Sequence, residues 1–146
     1  MRPKIDHIEL TVQDLDRAER FYDALLPLLG FDLKNKGRGH FPEFEHTEID
    51  YGTADFSLGL VNPRPALKDE EVCRRKPGAL HHLAFSADSR GEVDALYAQV
   101  SAIPGVTIVS PPRVYPEYTP DYYAFFFKDT EGIKLEITCF DRPSYY

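Results

Sequence analysis

Apolar and polar residues alternate over residues 5–12, IDHIELTV, which predicts a β-strand with Ile8, Leu10 and Val12 on one side and His7, Glu9 and Thr11 on the other. The following DLDRAERFYDALLPLLG changes to helical spacing, with Ala18, Phe21, Tyr22 and Leu25 on one face. Asp16 and Glu19 are spaced as a capping box at its start, and Pro27 and Gly30 mark its end. Three short strands are expected at 31–36, 44–51 and 55–61, the last two joined by a turn at YGTAD. From residue 62 the stretch NPRPALKDEEVCRRKPG is charged, carries prolines and reads as a surface linker.

After the linker the pattern restarts. LHHLAFSA predicts a strand, and DSRGEVDALYAQV a helix with Ser89 and Glu92 as its capping box and Val93, Leu96, Tyr97 and Val100 as its apolar stripe. PGVTIV, DYYAFFFKD and GIKLEITCF predict three more strands. A shift of 75 positions lays His82 on His7, Leu83 and Phe85 on Ile8 and Leu10, Tyr97 on Tyr22 and Gly105 on Gly30. One offset that holds across a strand, a helix and a closing glycine indicates a tandem βαβββ duplication. The expected architecture is α+β: one domain over 1–146, built of module one (4–62), a linker (63–78) and module two (79–140).

The duplication ranks the candidate chemistry. Neighbouring strand residues point to opposite faces, so His81 and His82 cannot both look into one enclosure. His82 is the partner of His7, whereas His81 reads as structural. In the last strand Leu135, Ile137 and Cys139 alternate with Lys134, Glu136 and Thr138. With Leu135 and Ile137 packed on the helix, Glu136 shares a face with the histidines, where a carboxylate is costly unless paired or metal-bound. Matching Leu58 and Leu60 to Leu135 and Ile137 places Gly59 opposite Glu136, so the fourth symmetric slot has no side chain. Two imidazoles and one carboxylate form a set that leaves positions open on a divalent ion. On spacing alone, two core histidines and a surface glutamate fit the same residues.

PPRVYPEYTPDYYAFFF, residues 111–127, is the other unusual stretch. Tyr115, Tyr118, Tyr122 and Tyr123 suit either a wall for a flat substrate or an edge strand at a subunit contact. Tyr122, Ala124 and Phe126 share one face and Tyr123, Phe125 and Phe127 the other, with no sign of which is inward. Glu9 lies on the face of His7 as a candidate hydrogen-bond partner. Lys134 and Arg142 flank Glu136 and could pair with it or with an anionic substrate. His40 and His46 read as surface residues, and GRG at 37–39 is too short for a phosphate loop.

Composition narrows the classes. A net charge of −7 and a pI near 5.2 argue against a nucleic-acid partner. No apolar run approaches the ~18 residues of a membrane span, and the N-terminus lacks a leader's apolar core. The two cysteines, Cys73 and Cys139, form no metal or redox motif, and a reducing cytoplasm is the expected location.

IDHIELTVQDLDRAERFYDALLPLLGF, LHHLAFSA and FFFKDTEGIKLEIT together resemble the vicinal oxygen chelate superfamily over about residues 4–140. That group includes glyoxalase I, bleomycin-resistance proteins, fosfomycin-resistance thiol transferases and extradiol ring-cleavage dioxygenases. The resemblance implies paired modules whose curled mixed sheets enclose a metal cup. It implies His7, His82 and Glu136 as ligands of one divalent ion, Fe²⁺, Mn²⁺, Ni²⁺ or Zn²⁺. It also implies a small substrate chelating through adjacent oxygens, and a homodimer. Glyoxalase I usually carries a fourth ligand at the position of Gly59. Extradiol dioxygenases use three ligands, but their usual Y-x-x-D-P-x-G stretch has Phe126 and Thr130 in place of the tyrosine and proline. Thiol transferases want cationic groups, and bleomycin-resistance proteins use no metal ligands. Extradiol-dioxygenase-like chemistry is therefore the first expectation, glyoxalase-like isomerase or lyase chemistry the second, and a non-catalytic drug or metabolite binder the rival. Glu9, Tyr118, Tyr122, Phe126 and Arg142 are the candidate substrate contacts, and no catalytic residue is assigned.

Overall fold

The computed structural model describes residues 4–146. The chain divides into two compact units, one ending at Glu71 and one beginning at Val72. The first holds β1 (His7–Thr11), α1 (Leu15–Leu25), β2 (Lys36–Phe41), β3 (His46–Gly52) and β4 (Ser57–Val61). The second repeats the order with β5 (Leu83–Ser86), α2 (Arg90–Ser101), β6 (Thr107–Val114), β7 (Tyr123–Lys128) and β8 (Lys134–Cys139). Each unit is a four-stranded mixed sheet, ordered β1-β4-β3-β2 and β5-β8-β7-β6. In both, the first strand runs parallel to the fourth and the other pairs are antiparallel. The βαβββ topology is thus present twice.

The helices bury the stripes their spacing predicts: Ala18, Phe21, Tyr22 and Leu25 in α1, and Val93, Leu96 and Val100 in α2. The cap of α1 differs from expectation. Asp14, not Asp16, caps α1, its carboxylate accepting from the Arg17 amide at 2.9 Å. Asp16 and Glu19 turn outward to accept from Arg38 Nη2 on β2, at 3.1 and 3.2 Å. Ser89 does cap α2, its Oγ accepting from the Glu92 amide at 3.1 Å, while the Glu92 carboxylate reaches the Asp88 amide at 2.6 Å.

Two strand boundaries also differ. Residues 33–35 of the expected strand 31–36 form a 3-10 turn, capped by the Asp32 carboxylate accepting from the Lys34 amide. The strand is Lys36–Phe41 and contains GRG. It lies at the sheet edge with mostly exposed side chains, so nothing in its surroundings selects an apolar alternation. In the second unit β5 begins at Leu83, and His82 sits immediately before it.

Each sheet packs one face on its helix. In the second unit Phe125, Phe127, Leu135 and Ile137 are fully buried, and Phe125 meets Tyr97 of α2 edge-on at 5.4 Å between ring centres. By alternation, Tyr122, Ala124, Phe126 and Glu136 lie on the opposite face, which answers the orientation question the sequence left open. The first unit follows the same rule. Leu10, Leu58 and Leu60 are buried, and His7, Glu9 and Gly59 fall on the other face.

Candidate metal centre

In the second unit, the β7–β8 ladder pairs Glu136 with Phe126, and the β5–β8 ladder pairs it with Ala84. This register fixes Glu136 on the aromatic face, where it is only 1% exposed. The Tyr122 hydroxyl donates to its Oε1 at 2.6 Å. His82 Nε2 lies 3.1 Å from its Oε2. Burial pushes the carboxyl pKa up, opposed by the Tyr122 hydrogen bond and the nearby Lys134 charge. Burial also lowers the His82 pKa, with the Lys134 and Arg74 charges acting the same way, which favours the neutral imidazole. The Tyr122 phenol is pushed up to about 12, first by burial and then by its carboxylate partner.

This donor set suits a divalent ion. Two ligand atoms each ~2.1 Å from an ion and at right angles to one another stand ~3 Å apart, close to the 3.1 Å between His82 Nε2 and Glu136 Oε2. A metal requires a neutral imidazole with a free Nε2 lone pair and an ionised carboxylate; burial favours the neutral imidazole and opposes the ionised carboxylate. Among the described residues of this unit, no third His, Cys, Asp or Glu side chain joins the pair.

Aromatic rings frame the pair. Phe126 lies edge-on to His82 at 6.2 Å between ring centres, and Tyr115 meets Phe126 at 5.3 Å. Tyr118 stacks on Tyr115 at 5.7 Å and remains 61% exposed. Lys134 Nζ lies 4.0 Å over the Phe126 ring. Of the candidate substrate contacts, Tyr122 and Phe126 adjoin Glu136, and Tyr118 packs on Tyr122. The Arg142 guanidinium lies over Phe140 and Tyr146.

In the first unit, His7, Glu9, Glu48, Asp50, Ser57 and Gly59 line an open hollow of about 220 Å³. Glu9 pairs with Gly59 along β1–β4, and Asp50 pairs with Gly59 along β3–β4, so the two carboxylates flank the glycine. The Asp6 carboxylate, 2.8 Å from His7 Nδ1, is the first cause of a raised His7 pKa, with Glu9 and Asp50 adding to it. His46 Nε2 engages Glu48 at 2.9 Å, and His40 Nδ1 engages Thr47 at 2.8 Å at the exposed edge. Glu48 and Asp50 were not among the sequence candidates. Their alternation with Ile49 and Tyr51 carried the signal.

His81 is the other residue the sequence reading undervalued. It stands exposed beside His82, with Nδ1 facing Nδ1 at 2.7 Å, and Arg74 Nη1 hydrogen-bonds its Nε2. The adjacency in LHHLAF was visible, but strand alternation predicted divergence. Both histidines precede β5, where that rule does not apply.

The model of the Glyoxalase/Bleomycin resistance protein/Dioxygenase superfamily matches residues 4–137. The chain belongs to this superfamily. It is 31% identical over 132 residues to YqjT, an uncharacterised protein of Bacillus subtilis (strain 168), covering 90% of this chain and 94% of that one. A glyoxylase/bleomycin resistance protein/dioxygenase domain from Frankia sp. EAN1pec has a similar structure, with a TM-score of 0.76 at 23% identity, covering 97% of this chain and all of that one. The fosfomycin resistance protein FosX of Listeria monocytogenes, solved with Mn(II) and a sulfate ion, has a TM-score of 0.64 at 17% identity and covers 98% of this chain and 97% of that one. Members of the superfamily typically bind a divalent metal. Among the described residues no helix is long and apolar enough to cross a membrane.

Proposed function

We propose that the chain is a metal-dependent enzyme acting on a small, planar, oxygen-chelating substrate. His82 and Glu136, both in the second unit, would supply two of the ion's ligands, and His7 is the third ligand that the family resemblance names. The observation that carries the reading is the 3.1 Å approach of His82 Nε2 to a buried Glu136 whose other oxygen is held by a phenol. When bound, the ion supplies Lewis acidity toward adjacent substrate oxygens. Tyr122 fixes the carboxylate's orientation. Tyr118 offers an exposed ring to an aromatic substrate, backed by the buried Tyr115 and Phe126, and Lys134 places a positive charge over Phe126. This wall favours aromatic vicinal diols and ring-cleavage chemistry of the extradiol dioxygenase kind. A homodimer in a reducing cytoplasm accords with superfamily membership and with the free Cys73 and Cys139.

A glyoxalase-like isomerase or lyase is the second reading, and Glu9 supports it. Its Cγ lies 3.0 Å from where a Cβ on Gly59 would stand, which brings a carboxylate over the position where glyoxalase I carries its fourth ligand.

Elemental analysis of protein purified without chelators or a histidine tag, beside His82→Ala, tests the proposal. About one ion per chain, lost in the variant, is expected. Iron, with oxygen uptake on a catechol panel, would favour ring cleavage. Nickel or zinc, with turnover of a hemithioacetal, would favour the isomerase. Absence of metal from both samples even after reconstitution would overturn the enzyme in favour of a ligand-binding protein.

A further inference from the structure

Arg74, His81 and His82 form a hydrogen-bonded chain whose polarity is fixed at one end. A guanidinium only donates, so His81 Nε2, which faces Arg74 Nη1, must be the acceptor. A neutral His81 then carries its proton on Nδ1 and donates it to His82 Nδ1 at 2.7 Å. With His82 Nδ1 accepting, a neutral His82 carries its own proton on Nε2, the nitrogen that faces Glu136. That tautomer cannot ligate through Nε2, because the lone pair there is occupied by a proton.

We propose that Arg74 and His81 are positioning residues that set the tautomer of His82, and that an ion can load on His82 Nε2 only when Arg74 releases His81. The loading half of this inference rests on the metal reading above. Loading moves the His82 proton to Nδ1, which becomes the donor. His81 Nδ1 then accepts, its proton resides on Nε2, and two donors would face each other at Arg74. The guanidinium must withdraw. Arg74 lies in a turn of the irregular segment before β5, outside any strand or helix, so its withdrawal breaks no ladder. The device makes metal affinity depend on whatever competes for Arg74, such as an anionic group on a substrate.

Nitrogen-15 NMR of the histidine rings and Mn²⁺ or Zn²⁺ titration test the two halves separately, in the full chain and in Arg74→Met, His81→Phe and His82→Ala. In the metal-free protein His82 is expected with its proton on Nε2 and His81 with its proton on Nδ1. Arg74→Met should lift that bias and tighten metal binding roughly three- to tenfold, the range one net hydrogen bond commands. His81→Phe should weaken the His82 bias, leaving only the pull of the Glu136 carboxylate on the Nε2 proton. A metal-free His82 protonated on Nδ1 would overturn the positioning role. Unchanged affinity in Arg74→Met, with binding abolished in His82→Ala, would overturn the loading role while leaving the metal reading intact. Undiminished binding in His82→Ala would instead defeat the metal reading and the loading role with it, and the nitrogen spectra would still decide the tautomer.

Discussion

Glu9 faces Gly59 across the β1–β4 ladder at the register where Ala84 faces Glu136 across β5–β8. The duplicated units have exchanged which strand carries the carboxylate. In the second unit the fourth strand bears it beside a small residue on the first. In the first unit the first strand bears it beside a glycine on the fourth. A Cβ at residue 59 would stand 3.0 Å from Glu9 Cγ, so a larger residue there would have to push the Glu9 side chain aside. The slot that looks vacant in the sequence is covered from the neighbouring strand.

The crowding is testable by a double-mutant cycle. Gly59→Ala should destabilise by about 1 kcal/mol, the low end for inserting a methyl into packed space. In a Glu9→Ala background the same change should cost much less, with a coupling of roughly 0.5–1 kcal/mol. Urea unfolding of the four proteins measures it, and strictly additive effects would show that Glu9 does not occupy the space over Gly59.

The closing glycines give a second comparison between the units. Gly30 and Gly105 both have left-handed backbones, at φ 89° and 84°. An added Cβ meets nothing within 4 Å at Gly30, but at Gly105 it meets Thr130 Cγ2 at 2.7 Å. Gly30→Ala should cost about 1–2 kcal/mol from backbone strain alone. Gly105→Ala should cost more, and Thr130→Ser should recover the excess by removing the methyl. Equal losses at the two glycines in thermal unfolding would contradict this.

The parts of the molecule legible in the sequence are those where one face is buried. The 75-residue offset found the duplicated β1-α1 and β5-α2 units because Ile8, Leu10, Phe21 and Tyr22 recur as Leu83, Phe85, Leu96 and Tyr97, residues chosen by the core. The edge strand β2 was misplaced because its environment selects nothing. The α1 cap was assigned to Asp16 because spacing cannot tell a carboxylate bound to an amide from one bound to Arg38. At the candidate site, alternation put Glu136 on the face away from Leu135 and Ile137 but left open which face of β7 it would meet. It could not foresee that Tyr122, fourteen positions away in sequence, would cap the carboxylate, or that His81 would turn toward His82 before the strand begins.

Lys36 offers a test of the first unit's electrostatics. Its ammonium bridges Glu19 at 3.0 Å and Asp23 at 2.8 Å, each side chain about a quarter to a third exposed. The hydrogen bond to Asp23 is the leading cause of a raised Lys36 pKa. A lysine whose folded pKa exceeds its unfolded one contributes stability that is complete below the unfolded value and is lost as pH rises through the folded one. Lys36→Met should therefore lower stability by no more than about 1 kcal/mol near neutral pH, in the range of solvent-accessible ion pairs. The gap from wild type should hold up to pH 10.5, the ordinary lysine value, and close above it. Denaturant melts across this range decide the matter, and a gap that widens with pH would reverse the assignment.

Tyr122→Phe addresses the candidate site directly. The phenol donates 2.6 Å to the buried Glu136 Oε1, and its loss leaves that oxygen without its partner. The cost to folding should be about 1–3 kcal/mol, the penalty for an unpaired buried acceptor. The loss should depend on pH in a definite direction. Burial already raises the Glu136 pKa, so ionising it opposes folding, and the Tyr122 hydrogen bond favours the charged form. Removing the bond raises the folded pKa further. The variant's deficit is then small in acid, where the carboxyl is protonated in both proteins, and grows as pH rises through the folded pKa. Metal affinity should fall 10- to 100-fold, as for other groups that orient a ligating carboxylate. Isothermal titration with Mn²⁺ and urea melts at acid and neutral pH read the two effects on the same protein. A Tyr122→Phe variant that matches wild type in both would show that the phenol neither supports Glu136 nor prepares it for a metal.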